Sequence, residues 1–449
     1  MHKLFGTDGI RREAGEFPLD KKTVKIIGQS LAKQFKDKIG RLPKFIIGRD
    51  TRESGIWIEK AFCTGVMSED AMCDSAGVMT TPGIAFLARD KKFDAGIVIS
   101  ASHNPFQDNG IKIFLPTGKK LDEATEKKIE EDIFAGEFED FETDFEEASL
   151  TQNKIGHQQA YLDHLFEEFK NLSLDNLKIV IDCANGASSI LAPKLFERFG
   201  AEVIAINNHP NGKNINKDCG SLHLDKLQAK VKEENADFGV AFDGDADRSL
   251  FVDEKGNLVD GDATLWIMAQ HLQKLGRLNN QTVVATVMSN IGLEVALDSK
   301  NIKLIRTKVG DKYVLQELLK TDSAIGGEQS GHIIFPHRSL VGDGMQTALY
   351  LLEALQKNEQ TLFGMKEGFT QFPQILVNVR VKEKKPFDEI PEISAAAKES
   401  EKELGDTGRL LLRYSGTENL ARVMIEGKDQ GEIEKLANNL AKIIERNLG

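Results

Sequence analysis

The chain has 449 residues and a formal net charge of −12, and 40% of its residues are hydrophobic. Because one hydrophobic core stops growing at roughly 250–300 residues, this length predicts more than one domain. The acidic balance argues against nucleic acid and membranes as partners, and no apolar run reaches the roughly 18 residues of a membrane span. Four widely spaced cysteines, and a polar start without an apolar signal core, lead us to expect a cytoplasmic protein without disulfides or zinc.

Along most of the chain, short apolar strands alternate with amphipathic helices. The predicted strands are residues 44–47, 95–99, 178–181, 238–242 and 323–325, and the predicted helices include residues 23–35, 262–275 and 347–355. This alternation predicts α/β units with largely parallel sheets, in which ligands bind beyond the carboxyl ends of the strands. Residues 94–100 resemble residues 237–243, which is equally consistent with repeated modules and with two similar buried strands.

The pattern changes near residue 370. Residues 374–381 alternate between apolar and polar side chains, as a half-buried antiparallel strand does. Residues 408–413 and 421–426 are two further predicted strands, and a predicted helix over residues 430–447 closes the chain. The sequence therefore predicts a separate C-terminal α+β domain.

Three carboxylates, Asp243, Asp245 and Asp247, directly follow the predicted strand 238–242. At this spacing they converge only in a loop, and because clustered carboxylates repel one another they need a cation such as Mg²⁺ or Ca²⁺. An EF-hand calcium loop is the sharper alternative, since Glu254 occupies its twelfth position. However, Arg248 stands where that loop needs glycine, and the flanking segments are predicted strands rather than helices.

Ser102 and His103 follow the predicted strand 95–99 and precede a turn-forming Asn104-Pro105 pair. A Ser/His acyl-transfer pair is one interpretation, although the G-x-S-x-G elbow is absent and adjacent residues rarely face each other. A serine that carries a phosphate beside a metal is another. On the residues alone, a plain turn remains open as well.

Two other loops carry polar side chains beside glycines. Residues 326–332 bring backbone close to a ligand and offer hydrogen bonds to hydroxyls or an amine. Residues 413–419 form either a phosphate cradle or an ordinary turn. Arg11 and Arg49 are equally consistent with a role in phosphate binding and with ordinary surface arginines.

Together and in this order, these motifs resemble those of the α-D-phosphohexomutase superfamily, from residues 6–11 to residues 422–427. Within it, the chain is most similar to the branch that acts on glucosamine phosphates, in residues 6–11, 99–105 and 306–311 and in Gln329. The phosphomannomutase/phosphoglucomutase branch, which usually has Met in place of Gln329, is the alternative. Arg12 stands where the superfamily often has Gly and Asn419 where it often has Pro, which leaves the geometry of both loops open.

The resemblance implies an α/β fold with three mixed α/β domains of related topology and a C-terminal α+β domain around a central cleft. The implied domains are residues 1–150 with the phosphoserine loop, 151–255 with the metal loop, 256–368 with the sugar-recognition loop and 369–449 with the phosphate-binding loop.

The resemblance also implies the roles of individual residues. Ser102 is the implied phosphoserine, and Lys112 and Arg248 match residues near the transferring phosphate, Lys112 with a role in proton transfer. The implied ligands of one Mg²⁺ are Ser102, through its phosphate, and Asp243, Asp245 and Asp247. The residues implied to bind substrate are Arg11, His103, Glu328, Ser330, His332, Arg413, Ser415, Gly416 and Thr417, of which the last four would hold the non-reacting phosphate.

The implied activity interconverts glucosamine 6-phosphate and glucosamine 1-phosphate through phosphorylated Ser102 and a glucosamine 1,6-bisphosphate intermediate, and it would supply UDP-N-acetylglucosamine synthesis. A non-catalytic sugar-phosphate binder and a metal-dependent phosphatase are alternatives from other classes. The binder reading is weakened because Ser102 and all three aspartates are present. The sequence leaves the oligomeric state open, with a homodimer among the options.

Overall fold

The computed structural model describes residues 3–6, 8–136, 154–415 and 419–449. Its helices are α1 (Lys21–Ile39), α2 (Ser54–Met67), α3 (Thr81–Asp90), α4 (Glu123–Ala135), α5 (Lys154–Glu168), α6 (Ser188–Arg198), α7 (Asp225–Glu234), α8 (Gly261–Lys274), α9 (Ile291–Asp298), α10 (Asp311–Thr321), α11 (Gly344–Asn358), α12 (Leu362–Met365), α13 (Pro391–Leu404) and α14 (Gln430–Leu448). Its strands are β1 (Ile10–Glu13), β2 (Lys44–Arg49), β3 (Met72–Val78), β4 (Ala95–Ile99), β5 (Asp108–Phe114), β6 (Lys178–Asp182), β7 (Glu202–Ile206), β8 (Phe238–Phe242), β9 (Ser249–Asp253), β10 (Leu258–Val259), β11 (Thr282–Thr286), β12 (Lys303–Thr307), β13 (Gly326–Gly327), β14 (Ile333–Ile334), β15 (Gln374–Arg380), β16 (Arg409–Tyr414) and β17 (Leu420–Glu426).

The described strands form four sheets, and three of them repeat one connectivity. Their orders are β1-β5-β4-β2-β3, β10-β9-β8-β6-β7 and β12-β11-β13-β14. In each, the third strand of a four-strand module lies between the first and the fourth, parallel to the first and antiparallel to the fourth. The similarity of residues 94–100 and 237–243 therefore reflects a repeated module, because β4 and β8 are the third strands of the first two modules. The predicted fold class is confirmed.

Helix α1 illustrates why the predicted helices form. Its apolar residues Val24, Ile27 and Leu31 are fully buried, as their spacing predicts. The Asp20 side chain caps the helix by accepting a hydrogen bond from the backbone N–H of Thr23, and Gly40 ends it in a left-handed conformation. The helix is longer at both ends than the predicted 23–35 because these caps lie outside the apolar repeat.

The strand predicted over residues 323–325 is wrong. The strand that pairs in the sheet is β13, which consists of the next two residues, Gly326 and Gly327. It runs parallel to β11 and pairs with Val284 and Ala285. A side chain at Gly326 would lie 2.7 Å from the carbonyl oxygen of Val284 and one at Gly327 would lie 2.6 Å from that of His332. Because β13 lies this close to its neighbours, both of its positions require glycine, a residue that sequence patterns normally assign to loops.

The described chain separates into two compact units. One comprises Met1–Val287 with Ile305–Glu367, and the other comprises Met288–Leu304 with Gly368–Gly449. The second unit contains the antiparallel sheet β15-β17-β16, as predicted, and its core lies between one sheet face and α13 and α14. It also contains α9, which sequence reasoning had not associated with the C-terminal region. In the described parts of the chain, every helix falls short of the length and apolarity that crossing a membrane would require.

Candidate active site

Ser102 lies in the loop that follows β4, the fully buried third strand of the first module. Its backbone has φ of +53°, a left-handed conformation that is uncommon outside glycine and is found at functional loops. The hydroxyl donates a hydrogen bond to Oδ2 of Asp243 at 2.6 Å, and Nδ1 of His103 lies 3.3 Å from Ser102 Oγ. Ser102 is almost completely buried, so its loop is part of a built site rather than a plain surface turn.

Asp243, Asp245 and Asp247 follow β8, the equivalent third strand of the second module, and all three are buried. One oxygen from each carboxylate lies within 4.8 Å of the others, as the sequence predicts. The two loops touch at Gly244, where a side chain would lie 2.5 Å from the carbonyl oxygen of Ser102. Glycine is therefore needed for the metal loop to approach the serine loop. This loop is not an EF-hand, because β8 and β9 rather than helices flank it.

Lys112, from β5, neutralises part of this acidic cluster. Its Nζ lies 2.8 Å from Asp245 Oδ2, 3.2 Å from Asp247 Oδ2 and 3.0 Å from Asp8 Oδ2. Burial alone would lower the pKa of Lys112, but the surrounding carboxylates raise it well above its usual value. The side chain therefore stays an ammonium group in the closed site.

The carboxylates fit a hard divalent cation. Among the described residues, no hydrogen-bond donor reaches the buried Oδ1 atoms of Asp245 and Asp247. Burial, together with repulsion from Asp247 and Asp245, raises the pKa of Asp243 well above its usual value. Asp245 and Asp247 each keep one buried oxygen without a donor in the described part of the chain, and three carboxylates this close repel one another, a pattern that matches the oxygen-ligand preference of Mg²⁺.

Arg248 and His332 lie on the other side of the same carboxylates. The backbone N–H of Arg248 donates to Asp243 Oδ1 at 3.2 Å, and its Nε lies 3.9 Å from Asp247 Oδ1. His332 Nδ1 lies 3.7 Å from Asp247 Oδ1. Although burial would lower the pKa of His332, Asp247 raises it to about 9, whereas burial and the charges of Arg248 and Arg11 lower the pKa of His103 to about 4.

A second layer of charges, which sequence reasoning missed, connects Arg11 to this cluster. Arg11 donates to Asp8 through Nη2, and Lys120 Nζ lies 2.7 Å from both Asp8 Oδ1 and Asp311 Oδ2. Burial would raise the pKa of Asp8, but Lys112 and Lys120 lower it below its usual value. Asp8 and Asp311 stand inside the motifs 6–11 and 306–311, so the only available signal was their place in those motifs.

Glu328 and Ser330 follow β13, the third strand of the third module, and both are half-buried. The Glu328 carboxylate accepts a hydrogen bond from the backbone N–H of Gly310 at 3.1 Å, and the Gly331 N–H closes the turn onto the Glu328 carbonyl. Gln329 Nε2 donates to Asp260 Oδ2 at 3.3 Å. The three predicted site loops thus follow equivalent strands of three repeated modules.

The remaining predicted residues lie in the second unit. Arg413 is on β16 and faces Arg422 across the β16–β17 ladder, and burial together with this like charge lowers the pKa of Arg413. Ser415 follows it, and its carbonyl accepts a hydrogen bond from Lys384 Nζ at 2.7 Å. Gly416 and Thr417 lie outside the described residues.

Sequence reasoning also missed the residues behind the serine loop. Arg52 and Asp50 follow β2, and Asn216 follows β7; Arg52 and Asp50 are fully buried. The available signal was the position of the GRDTR segment at the end of a predicted strand, where an arginine and an aspartate would otherwise be solvated.

Comparisons with known proteins agree on one family. The chain matches the phosphoglucomutase/phosphomannomutase family models of α/β/α domain I over residues 2–140, domain II over residues 159–256, domain III over residues 260–372 and the C-terminal domain over residues 376–443.

Among curated relatives, the phosphoglucosamine mutase of Solibacter usitatus is 47% identical over 446 residues, covering 99% of either chain. Among solved structures, a phosphoglucomutase/phosphomannomutase family protein from Burkholderia thailandensis gives a TM-score of 0.80 at 22% identity, covering 99% of this chain and 97% of that one. Aspergillus fumigatus N-acetylphosphoglucosamine mutase, in complex with GlcNAc-6P and magnesium, gives 0.68 at 19% identity, covering 99% and 96%. The structural likenesses establish the fold, and the sequence identity establishes the family: the chain belongs to the phosphoglucosamine mutases of the α-D-phosphohexomutase superfamily.

Proposed function

We propose that this chain interconverts glucosamine 6-phosphate and glucosamine 1-phosphate, using Ser102 as the group that carries phosphate. Family membership makes the chain an isomerase. The observation that carries the proposal is the 2.6 Å hydrogen bond from the Ser102 hydroxyl to Asp243, inside a buried cluster of three carboxylates. A serine in this position is suited to exchange phosphate beside a cation and unsuited to acyl transfer, since the acidic surroundings would repel a developing oxyanion.

In the proposed cycle, phosphorylated Ser102 gives its phosphoryl group to the free hydroxyl of the substrate. Glucosamine 1,6-bisphosphate forms, turns around in the site and returns its other phosphate to Ser102, so the net reaction moves phosphate between the two positions. The site must exclude water throughout, because phosphoserine and the bisphosphate would otherwise be lost to hydrolysis. The burial of Ser102 supports this requirement.

We propose Asp243, Asp245, Asp247 and the phosphate of Ser102 as the ligands of one Mg²⁺. When bound, Mg²⁺ supplies positive charge to the transferring phosphoryl group. The orphaned Oδ1 atoms of Asp245 and Asp247 support this assignment, as does the magnesium in the A. fumigatus structure. Lys112 and Arg248 add cationic charge beside the same carboxylates.

We propose that Lys112 takes part in proton transfer as an acid. Its raised pKa keeps it protonated at the start of the transfer, so it is available to the oxygen that leaves phosphorus and not as the base for the attacking hydroxyl. The raised pKa of His332 keeps this residue a cation as well, so it too can donate a proton. The lowered pKa of His103 keeps its imidazole neutral, and this ring, next to Ser102 Oγ, is able to accept a proton.

Substrate recognition is proposed to use two further groups of residues. Glu328 and Ser330 would hydrogen-bond the sugar, with Arg11, His103 and His332 at the reacting end. Arg413, Ser415, Gly416 and Thr417 would hold the non-reacting phosphate. We also propose the domain boundaries at residues 150, 255 and 368, a cytoplasmic location, and glucosamine 1,6-bisphosphate as activator, with a homodimer as the oligomeric state to test.

Phosphorus NMR tests the proposed reaction. Glucosamine 6-phosphate is mixed with the enzyme, Mg²⁺ and a trace of glucosamine 1,6-bisphosphate, and a glucosamine 1-phosphate resonance is expected. Release of inorganic phosphate instead would indicate a phosphatase, and no reaction by enzyme phosphorylated on Ser102 would contradict the proposal. Glucose and mannose phosphates in parallel test the phosphomannomutase/phosphoglucomutase alternative, which the 47% identity to a phosphoglucosamine mutase does not favour.

A further inference from the structure

Behind the serine loop lies a buried guanidinium whose hydrogen bonds all go to the loop or to its own carboxylate partner. Arg52 Nη2 donates to the carbonyls of Ser102 and Asn104, each at 2.9 Å, and Nη1 donates to the carbonyl of Pro105. Its Nε donates to Asp50 Oδ2 at 2.9 Å, and both side chains are 0% exposed. Burying the charge of an arginine costs desolvation free energy. Because the bonds of this guanidinium go to three carbonyls of one four-residue loop, we infer that the position of these carbonyls is important.

Asp50 extends the same network to the other side of Ser102. Its Oδ2 accepts a hydrogen bond from Ser100 Oγ at 2.6 Å, and Ser100 Oγ accepts one from the Ser102 backbone N–H at 2.9 Å. Asn216, from the second module, donates to the carbonyls of Ser102 and Asn104 at 2.9 and 3.1 Å. The backbone N–H and carbonyl of Ser102 are thus both held, which fixes the left-handed conformation of this residue.

These backbone contacts differ from the side-chain contact in one chemical respect. The Ser102 hydroxyl holds Asp243 through its hydrogen, and phosphorylation replaces that hydrogen. Phosphoserine therefore cannot donate to Asp243, and it adds up to two negative charges beside three carboxylates. In the phosphorylated form the direct hydrogen bond to Asp243 is gone, and whether the phosphate is repelled by the carboxylates or held to them depends on Mg²⁺, whereas the contacts from Arg52 and Asn216 are the same in both forms.

We propose that Arg52 is a positioning residue for phosphoryl transfer: with Asp50, it holds the carbonyls of Ser102, Asn104 and Pro105 so that Ser102 Oγ keeps one position in both its free and its phosphorylated state. This inference rests on the proposed role of Ser102 as phosphate carrier. Arginine is required because its planar fork reaches three carbonyls at once while bonding Asp50, and the point charge of lysine cannot do so.

Paired Arg→Lys substitutions test the proposal. Arg52→Lys keeps the charge but loses the fork. Arg49→Lys is the matched control, because Arg49 ends β2, pairs with Glu59 at 3.0 Å and reaches this network only through a long hydrogen bond of 3.5 Å to the Asp50 carbonyl, whereas the guanidinium of Arg52 bonds residues 102–105 directly. For each full-length variant, kcat and KM for glucosamine 6-phosphate, the fraction phosphorylated on Ser102 by intact mass, and the half-life of that phosphoserine without substrate are measured.

We expect Arg52→Lys to lower kcat by about 100-fold, the effect of a misplacement of roughly 1 Å, with KM unchanged. Its phosphoserine should also hydrolyse faster than in the wild type, a readout that a general loss of stability does not move. Arg49→Lys should match the wild type in all three measurements. Unchanged kcat and phosphoserine half-life in folded Arg52→Lys would overturn the proposal, and so would an equal loss in Arg49→Lys.

Asn216→Gly keeps the inference testable if Arg52→Lys does not fold. Asn216 has φ of +57°, which glycine adopts freely, so only the two donated hydrogen bonds are lost. A loss of about tenfold in kcat at unchanged KM would support loop positioning, and wild-type kcat would overturn it. If wild-type Ser102 never carries phosphate and Ser102→Ala remains active, the proposed function fails first and takes this inference with it; an error about Arg52 alone leaves wild-type Ser102 phosphorylated.

Discussion

The loop after β8 in the first unit and the antiparallel sheet of the second unit both bury carboxylates, but the bonding of these carboxylates is opposite. In the loop after β8, Asp245 and Asp247 keep buried oxygens without a donor among the described residues, and burial together with repulsion from these two neighbours raises the pKa of Asp243. In the second unit, Glu426 is also fully buried, yet Arg409 bonds its Oε2 through Nε at 3.0 Å and the backbone N–H of Ile291 donates to the same oxygen at 3.1 Å.

If the proposed function holds, the difference separates buried charge that serves chemistry from buried charge that serves folding. Glu426 fastens the start of α9 to the C-terminal sheet, and Asn290 reinforces the junction by accepting from Phe372 N and donating to the Phe372 carbonyl. A fully bonded carboxylate has nothing left to offer a ligand. The carboxylates after β8 remain underbonded and mutually repelling, a condition that costs stability and that a cation relieves.

Ser102→Ala gives the largest expected effect on the first region. Turnover of glucosamine 6-phosphate should fall by on the order of 10⁴-fold or more, because the phosphate carrier is lost. The melting temperature should fall by only about a few degrees, because the hydrogen bond to Asp243 is lost while the backbone contacts of the loop do not involve Oγ. The measurement is a coupled assay with thermal unfolding as its control, and substantial mutase activity in this variant would refute the assignment of Ser102.

Asp243→Asn should lower kcat by about 10³-fold, several kcal/mol of transition-state stabilisation, while raising the melting temperature of the metal-free protein. The amide oxygen can still accept from Ser102 and the hydrogen bond from the Arg248 N–H is lost, but we expect removal of the repulsion with Asp245 and Asp247 to outweigh that loss. Mg²⁺ should raise the melting temperature of the wild type and not that of the variant. Thermal unfolding with Mg²⁺ or with chelator measures both effects, and a variant that is less stable without metal would place Asp243 with the structural carboxylates.

Glu426→Gln should have the opposite effects to Asp243→Asn: it should lower the stability of the protein and leave its activity unchanged. It leaves Arg409 beside a neutral group in the interior of the second unit, and breaking such a pair costs about 4 kcal/mol of unfolding free energy. kcat per folded molecule should stay unchanged. Glu434→Gln, on the exposed face of α14, is the matched control and should change stability by less than about 0.5 kcal/mol in urea titrations. Equal stability of the two variants would show that the Glu426 network carries no net stability.

The two regions were also unequally predictable from sequence. The Asp243 triad and the Ser102 loop could be singled out because their signals are local: a buried strand, a turn and clustered polar residues within a few positions. The predicted role of Ser102 came only from the resemblance to the superfamily, because its own segment is also consistent with a plain turn. The role of Glu426 could not, because its partners Ile291 and Arg409 lie 135 and 17 positions away and its own segment shows only a strand pattern. The contacts of Arg52 with residues 102–105 were missed for the same reason, because they span about 50 positions.

The modular fold was partly visible for a similar reason. The resemblance of β4 to β8 is a local similarity and could be read from the sequence, whereas β13 could not, because two glycines carry no apolar pattern. What identifies β13 is its hydrogen bonding to Val284 and Ala285, about 42 positions earlier. The placement of Glu328 after an equivalent strand therefore emerges only from the sheet.

Asp343 is an intermediate case and gives the smallest expected effect, a dependence of stability on pH. It caps α11 by accepting from Gln346 N at 3.0 Å, and its other oxygen accepts from Tyr161 OH at 2.6 Å, but no cation pairs with it among the described residues. Burial raises the pKa of Asp343 from 3.8 to about 6. Because the folded state binds this proton more tightly than the unfolded state, the carboxyl group stabilises the fold below pH 3.8, and that contribution is lost as the pH rises through about 6.

Asp343→Asn cannot titrate, so its unfolding free energy relative to the wild type should rise by about 2 kcal/mol between pH 4 and pH 8, somewhat less than the roughly 1.4 kcal/mol for each unit of the whole pKa shift, because the unfolded carboxyl group is already partly ionised at pH 4. The lost acceptor lowers stability by an amount that does not depend on pH and does not hide this slope. Asp122→Asn is the matched control, because Asp122 caps α4 in the same way but has a lowered pKa. The stability that the Asp122 carboxylate contributes is lost only as the pH falls below its unfolded pKa of 3.8, so the relative stability of Asp122→Asn should stay nearly level between pH 4 and pH 8. Urea titrations at several pH values measure both variants, and an equal slope in the two would mean that burial of Asp343 without a cation does not set its titration.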